Sequence, residues 1–296
     1  MKIMKMNKML TLAVLTLSSF GLAACGNNNA DSGSGSKSGG KIEVITREEG
    51  SGTRGAFTEI TGILKKDGDK EVDNTSKSAV VQNSTEGVIS AVSGNKDAVG
   101  YVSLGSLNDS VKAIKVDGVE ATSKTVSDGE YPIQRPFNIV YNDSLSELGK
   151  DFIKYIHSKQ GQAVVKENKF VEAKAEQAEY TSQKMSGKLS VVGSTSVSPL
   201  MEKLVEAYKK ENPDVTIDIT SNGSSAGITA AKEKTADIGM VSRELTPEEG
   251  KDLKHDAIAL DGIAVVINKD NSAEEVKMQT ITDIFTGKVT SWDKVK

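Results

Sequence analysis

Arg47-Glu48-Glu49-Gly50-Ser51-Gly52-Thr53-Arg54 sets a guanidinium beside a cluster of Gly, Ser and Thr. The guanidinium offers a planar fork of donors that fits an oxyanion. The cluster offers hydroxyls and unpaired backbone N–H groups with a helix dipole behind them. Three further stretches share the design: 193–198, 221–227 and 242–246. Each follows a strand pattern and leads into a helix pattern, where ligands of open α/β sheets collect. Four such turns meeting in one cleft would surround a tetrahedral oxyanion with donors. Each bond to a charged ligand contributes roughly 1.5–3 kcal/mol, and a cleft that excludes water strengthens every one. The competing reading is that these Ser and Thr residues only cap helices. Arginine usage favours a site: Arg47, Arg54, Arg135 and Arg243 are the chain's only arginines, and three of them lie in or beside Ser/Gly turns.

Other chemistries find little support. The formal net charge is −4, and Lys2, Lys5 and Lys8 are the only charges in residues 1–24, so the remainder carries −7. A nucleic-acid binder would show a basic excess. His157 and His255 are the only histidines, read as surface helix residues, and no Cys/His cluster suggests zinc. Neither a Gly-x-Ser-x-Gly elbow nor a phosphate-binding nucleotide loop occurs. A phosphate-ester hydrolase using Ser51 or Thr195 would need a general base beside its nucleophile, and the sequence places none there. No cofactor is expected. Arg54 is read as holding its turn, Arg135 before Pro136 as structural, and Arg243 as either bridging the cleft mouth or touching ligand.

The elements that must position these turns read as α/β. Ile42–Ile45 alternates as a strand, and Phe57, Ile60, Ile63 and Leu64 share a helical face. Ser84 reads as the cap of a helix with Val88, Ile89 and Val92 inward and Gly94 at its end. Residues 98–102 and 137–141 read as strands. Leu148, Phe152, Ile153 and Ile156 mark one helix, Val164 and Val165 another. Residues 172–188 read as a partly helical surface connection. From Leu189 the pattern is βαβαβ: strand 189–192, a helix capped by Ser198 with Pro199 at its first position, strand 215–219, a helix opened by 221–227, and strand 238–241. Thr246-Pro247-Glu248-Glu249 predicts a further helix start, and 263–267 a buried strand.

At the other end, the three lysines, the apolar run 9–24 and Leu22-Ala23-Ala24-Cys25 form a secretion signal. The run is too short for a confident membrane span. Leu-Ala-Ala-Cys resembles a bacterial lipobox, which implies lipidation of Cys25 and anchoring to the outer face of the cell membrane without spanning it. Residues 25–40 then form a Gly/Ser/Asn tether.

The segments 47–54, 193–199, 223–227 and 238–243, with Ala98-Val99-Gly100-Tyr101-Val102 and Ile284-Phe285-Thr286-Gly287…Trp292, resemble the phosphate-binding subunit of the Pst-type ABC phosphate importer. The resemblance spans nearly all of 41–296. It implies a two-lobed, type II periplasmic-binding fold with phosphate in the cleft, no enzymatic activity, a monomer, and delivery to membrane permease subunits. It implies ligand contacts from Arg47, Ser51, Gly52 and Thr53 of one lobe and from Thr195, the Ser196 N–H, Ser224 and Ser242 of the other, with Glu49 pairing to and orienting the arginine. One lobe would comprise 41–135 plus 268–296, the other 136–267, joined by a hinge near 136–141 and 263–268. Two departures stand out. The segment order is rotated relative to the family, as in a circular permutation joined through 172–188, which requires Lys41 and Lys296 to lie close together. Ser242 stands where some relatives carry an aspartate that accepts the proton of hydrogen phosphate. That weakens the inherited basis for rejecting sulfate, and other oxyanions such as molybdate remain open.

Overall fold

The computed structural model describes residues 40–67, 70–173 and 177–295. The signal segment, Cys25, the tether up to residue 39 and Lys296 lie outside them. In chain order the framework is β1 (Glu43–Arg47), α1 (Gly52–Ile60), β2 (Val80–Gln82), α2 (Thr85–Gly94), β3 (Ala98–Ser103), β4 (Gln134–Tyr141), α3 (Glu147–Ile156), α4 (Lys159–Glu167), β5 (Gly187–Gly193), α5 (Ser198–Glu211), β6 (Val215–Ser221), α6 (Ser224–Lys232), β7 (Ile238–Val241), β8 (Lys254–Asn268) and α7 (Met278–Phe285).

The eight strands run β6-β5-β7-β4-β8-β3-β1-β2 across one continuous sheet. Its two ends are parallel: β5 pairs parallel with β6 and β7, and β1 with β2 and β3. The middle is antiparallel, and β8 carries it. Residues 254–262 of β8 pair with β4, while 263–267 pair with β3. One 15-residue strand therefore belongs to both halves. Two apolar cores follow the same division. Phe57, Val88, Val92, Tyr101, Ile263–Ile267 and Phe285 fill the first; Phe137, Phe152, Val191, Leu204, Tyr208 and Met240 fill the second. The result is a two-lobed α/β fold of the periplasmic-binding type. Residues 263–267, expected with the second lobe, pack in the first core because their strand partners there are Val99–Ser103.

Local chemistry explains the helices. Ser51, Ser84, Ser146 and Ser158 cap α1, α2, α3 and α4, each accepting an N–H three residues on. In α3, Leu148, Phe152, Ile153 and Ile156 are buried at helical spacing. Three expectations are corrected. Val197, not Ser198, is the cap residue of α5; Ser198 is already helical, and its hydroxyl donates to Ser194 O. The Thr246 start holds its capping bonds with Glu249 but yields only a 3-10 turn, Glu249–Lys251. Neither Gly250 nor anything else in that turn is buried, so no apolar face extends it. The described part of 172–188 holds no helix. It is tied down instead by Tyr180, which is buried and donates to Asp151 at 2.6 Å.

The two ends of the folded region meet. Ile42 N donates to Thr290 O at 3.0 Å and Trp292 N to Gly40 O at 3.2 Å, while Lys41 bridges to Ser291.

Candidate oxyanion-binding site

Arg47 is the last residue of β1, and its side chain is 2% exposed. Two sets of contacts hold it. Its backbone N–H donates to the hydroxyl of Tyr101, whose ring stacks on Phe57 with centroids 4.0 Å apart. Its guanidinium forms a fork with Glu48, Nε to Oε2 at 2.8 Å and Nη2 to Oε1 at 2.7 Å. The orienting carboxylate is thus Glu48; Glu49, the residue expected in that role, is exposed. Neighbours in an extended chain point apart, but the turn that begins at Glu48 breaks the alternation. A buried cation needs such a partner, because an unpaired charge is costly to remove from water.

The guanidinium also reaches across the lobes. Arg47 Nη2 donates to Thr195 Oγ1 at 3.0 Å, and Nη1 to Thr85 Oγ1 at 3.4 Å. Thr53 Oγ1 lies 2.8 Å from Ser196 Oγ and 3.4 Å from Ser242 Oγ. Ser224 Oγ accepts the Ser242 N–H at 3.0 Å. Ser51 caps α1, and Gly52 lies so near the opposite lobe that an added Cβ would stand 2.3 Å from Ser224 Oγ and 2.7 Å from Ser242 Oγ. Gly193 is required for a similar reason: φ is +144°, and a Cβ there would stand 2.3 Å from Met240 O. Seven of the eight expected contact residues, Arg47, Gly52, Thr53, Thr195, Ser196, Ser224 and Ser242, are brought together, while Ser51 bonds to the Arg54 N–H of its own helix. Ser51, Gly52, Thr53, Ser196, Ser224 and Ser242 are buried, and Thr195 is half-buried.

Four helices, α1, α2, α5 and α6, begin at or just beyond this cluster, so the positive ends of their dipoles are nearby. Thr85, the first residue of α2, is a member that sequence reasoning missed; its hydroxyl lies 3.0 Å from Ser196 Oγ. The Ser84 cap had already accounted for the hydroxyls there, and nothing in the sequence distinguished the second one. Arg135 was also missed. It is buried on β4, donates Nη1 to Asp261 Oδ2 at 2.7 Å and Nη2 to Thr53 Oγ1 at 2.9 Å. Burial pushes the Asp261 carboxyl up to about 6 and the Arg135 guanidinium down to about 10, against their mutual attraction.

The remaining arginines stand outside. Arg54 donates to Arg47 O at 2.8 Å and to Asp73 at 3.0 Å, which holds the turn. Arg243 forks onto Glu249 of its own lobe, at 2.7 and 2.8 Å, with its stem over Gly55 at the cleft mouth. His157 is half-buried at the end of α3, and burial lowers its imidazole pKa from the ordinary value. Among the described residues no group of three or more His, Cys, Asp or Glu side chains is placed to hold a metal. A buried, donor-rich hydroxyl cluster with one forked guanidinium is equipped to replace the hydration shell of a small anion.

The chain is similar to known proteins over most of its length. The model of the PBP superfamily domain matches residues 27–160 and 178–295. Phosphate-binding protein PstS 2 of Streptococcus pneumoniae is 73% identical over 293 residues, which is 99% of this chain and 100% of that one. The chain belongs to the PBP superfamily, among its PstS phosphate-binding proteins. A PstS 2 of Streptococcus agalactiae is 51% identical over 98% of both chains. The crystal structure of a phosphate-binding protein of a phosphate ABC transporter from S. pneumoniae TIGR4 superimposes with a TM-score of 0.70 at 75% identity, covering 87% of this chain and all of that one.

Proposed function

We propose that this chain is a non-enzymatic receptor that captures inorganic phosphate outside the cytoplasm and delivers it to the permease of an ABC importer. The convergence of Arg47, Thr53, Thr195, Ser196, Ser224 and Ser242 from both lobes on one buried spot carries the reading. In it, Arg47, Ser51, Gly52 and Thr53 bind from the first lobe, and Thr195, the Ser196 N–H, Ser224 and Ser242 from the second. The anion takes over bonds that the hydroxyls now give one another. Closure turns on β4 and β8, where the lobes share a strand. Cys25 carries the lipid anchor, and the receptor works as a monomer.

Titration calorimetry with phosphate tests this: saturable one-to-one binding near neutral pH is expected, and no saturable heat would reject it. Ser242 supports a second reading, a receptor less selective among tetrahedral oxyanions. It lacks the carboxylate whose lone pairs would repel a fully deprotonated ion. Sulfate or molybdate competing within tenfold of phosphate favours that reading. The rotated segment order is read as a circular permutation, supported by the pairing of residues 40–42 with 290–292.

A further inference from the structure

Thr53 Oγ1 carries one hydrogen and two lone pairs. Arg135 has only hydrogens to offer, and its Nη2 sits 2.9 Å away, so one lone pair of Thr53 is committed to it. The positive guanidinium also repels the hydroxyl hydrogen, which must then turn away from Arg135. The other hydroxyl neighbours of that oxygen are Ser196 Oγ at 2.8 Å and Ser242 Oγ at 3.4 Å, at the centre of the cluster.

Arg135 itself is not free to turn. Asp261 lies directly opposite it in the β4–β8 ladder and takes its Nη1 at 2.7 Å, while the Phe137 ring lies 4.7 Å below the guanidinium carbon. Its Nε is buried with no hydrogen-bond partner among the described residues. A purely structural arginine would be served as well by a carbonyl as by a hydroxyl of the site. This one spends a charged donor on Thr53, whose hydroxyl faces both Ser196 and Ser242 of the opposite lobe.

We infer that Arg135, clamped by Asp261, is a positioning residue that fixes the Thr53 hydroxyl as an obligate donor to the bound oxyanion. The inference rests on the phosphate-receptor reading. Because a hydrogen bond donated by a positive group polarises the hydroxyl it reaches, Thr53 is a stronger donor than an isolated threonine. The charge of Arg135 thereby acts on the anion without touching it.

A double-mutant cycle on the purified full chain, read by phosphate titration calorimetry, tests this. Arg135→Gln/Asp261→Asn removes both charges together, so no buried ion is left alone, and about a 10- to 100-fold weaker phosphate affinity is expected. Thr53→Val is expected to cost a similar factor. Combining the three changes should then cost less than threefold beyond Thr53→Val alone, since Arg135 acts through that hydroxyl. Losses that multiply, or binding by Arg135→Gln/Asp261→Asn within twofold of the unmodified chain, would overturn the inference. Should that pair fail to fold by thermal melt, Arg135→Lys keeps a cation on Asp261 but loses the rigid fork. It is expected to weaken phosphate about tenfold, again without adding to Thr53→Val; an additive loss would overturn the inference. An unmodified chain that binds no phosphate overturns the receptor reading itself, and this inference with it.

Discussion

Arg47 is the residue on which the site turns, and its burial decides what surrounds it. A guanidinium 2% exposed must be neutralised, and the Glu48 fork does so while leaving Nη1 and Nη2 pointing at the hydroxyls of Thr85 and Thr195. Arg47→Lys keeps the charge but cannot serve Glu48 and the anion in one plane, so phosphate affinity should fall by about 100-fold, as two charge-assisted bonds imply. Glu48→Gln should weaken binding about tenfold by loosening the fork, whereas the exposed Glu49→Gln should stay within twofold in the same titration. Opposite results for the two would show that the orienting carboxylate is misassigned. At the rim, Arg243 hydrogen bonds hold Glu249 below its ordinary value of 4.5. A lowered folded pKa contributes stability above the unfolded value and loses it as pH falls through the folded one. Glu249→Gln should therefore melt lower than the unmodified chain at pH 7, with the difference closing as pH falls below about 4.

The elements place these residues by a common device, a strand that ends in a turn and hands over to a helix. That device was legible in the sequence because capping chemistry is local: Ser84 is visible as a cap before any packing is known. What was not legible depended on partners far along the chain. Arg135 reads as structural until Thr53, 82 positions earlier, is seen beside it. Likewise Glu48 and Glu49 are indistinguishable by type, and only the turn decides which one faces the guanidinium. The 246–249 stretch failed as a helix for the converse reason, since good capping cannot hold a helix that has no apolar face to bury. Family likeness named Glu49 as the orienting carboxylate, and the structure pairs Glu48 with the guanidinium. Close approach of elements also makes a prediction at Gly52. Ala there would drive a methyl into Ser224 and Ser242 of the facing lobe, yet suits a helix start. Gly52→Ala should fold with a melting temperature within a few degrees of the unmodified chain while binding phosphate at least tenfold more weakly.

At the scale of the molecule, two half-sheets share β8, which changes partner from β4 to β3 between residues 262 and 263. A ligand bonded by both lobes stabilises the folded state by mass action, about 2.7 kcal/mol at a hundredfold excess over Kd. For a chain of this size that should raise the melting temperature by about 5–10 °C. Differential scanning fluorimetry with phosphate checks it, and chloride at equal ionic strength should produce no such rise. The meeting of residues 40–42 with 290–292 also places both ends of the folded region together. The most direct measurement is a crystal structure of the protein grown with phosphate. The expected result is one phosphate between the lobes, within about 3 Å of Arg47, Thr53, Thr195, Ser196, Ser224 and Ser242. Phosphate bound elsewhere, or touching the residues of one lobe only, would contradict it.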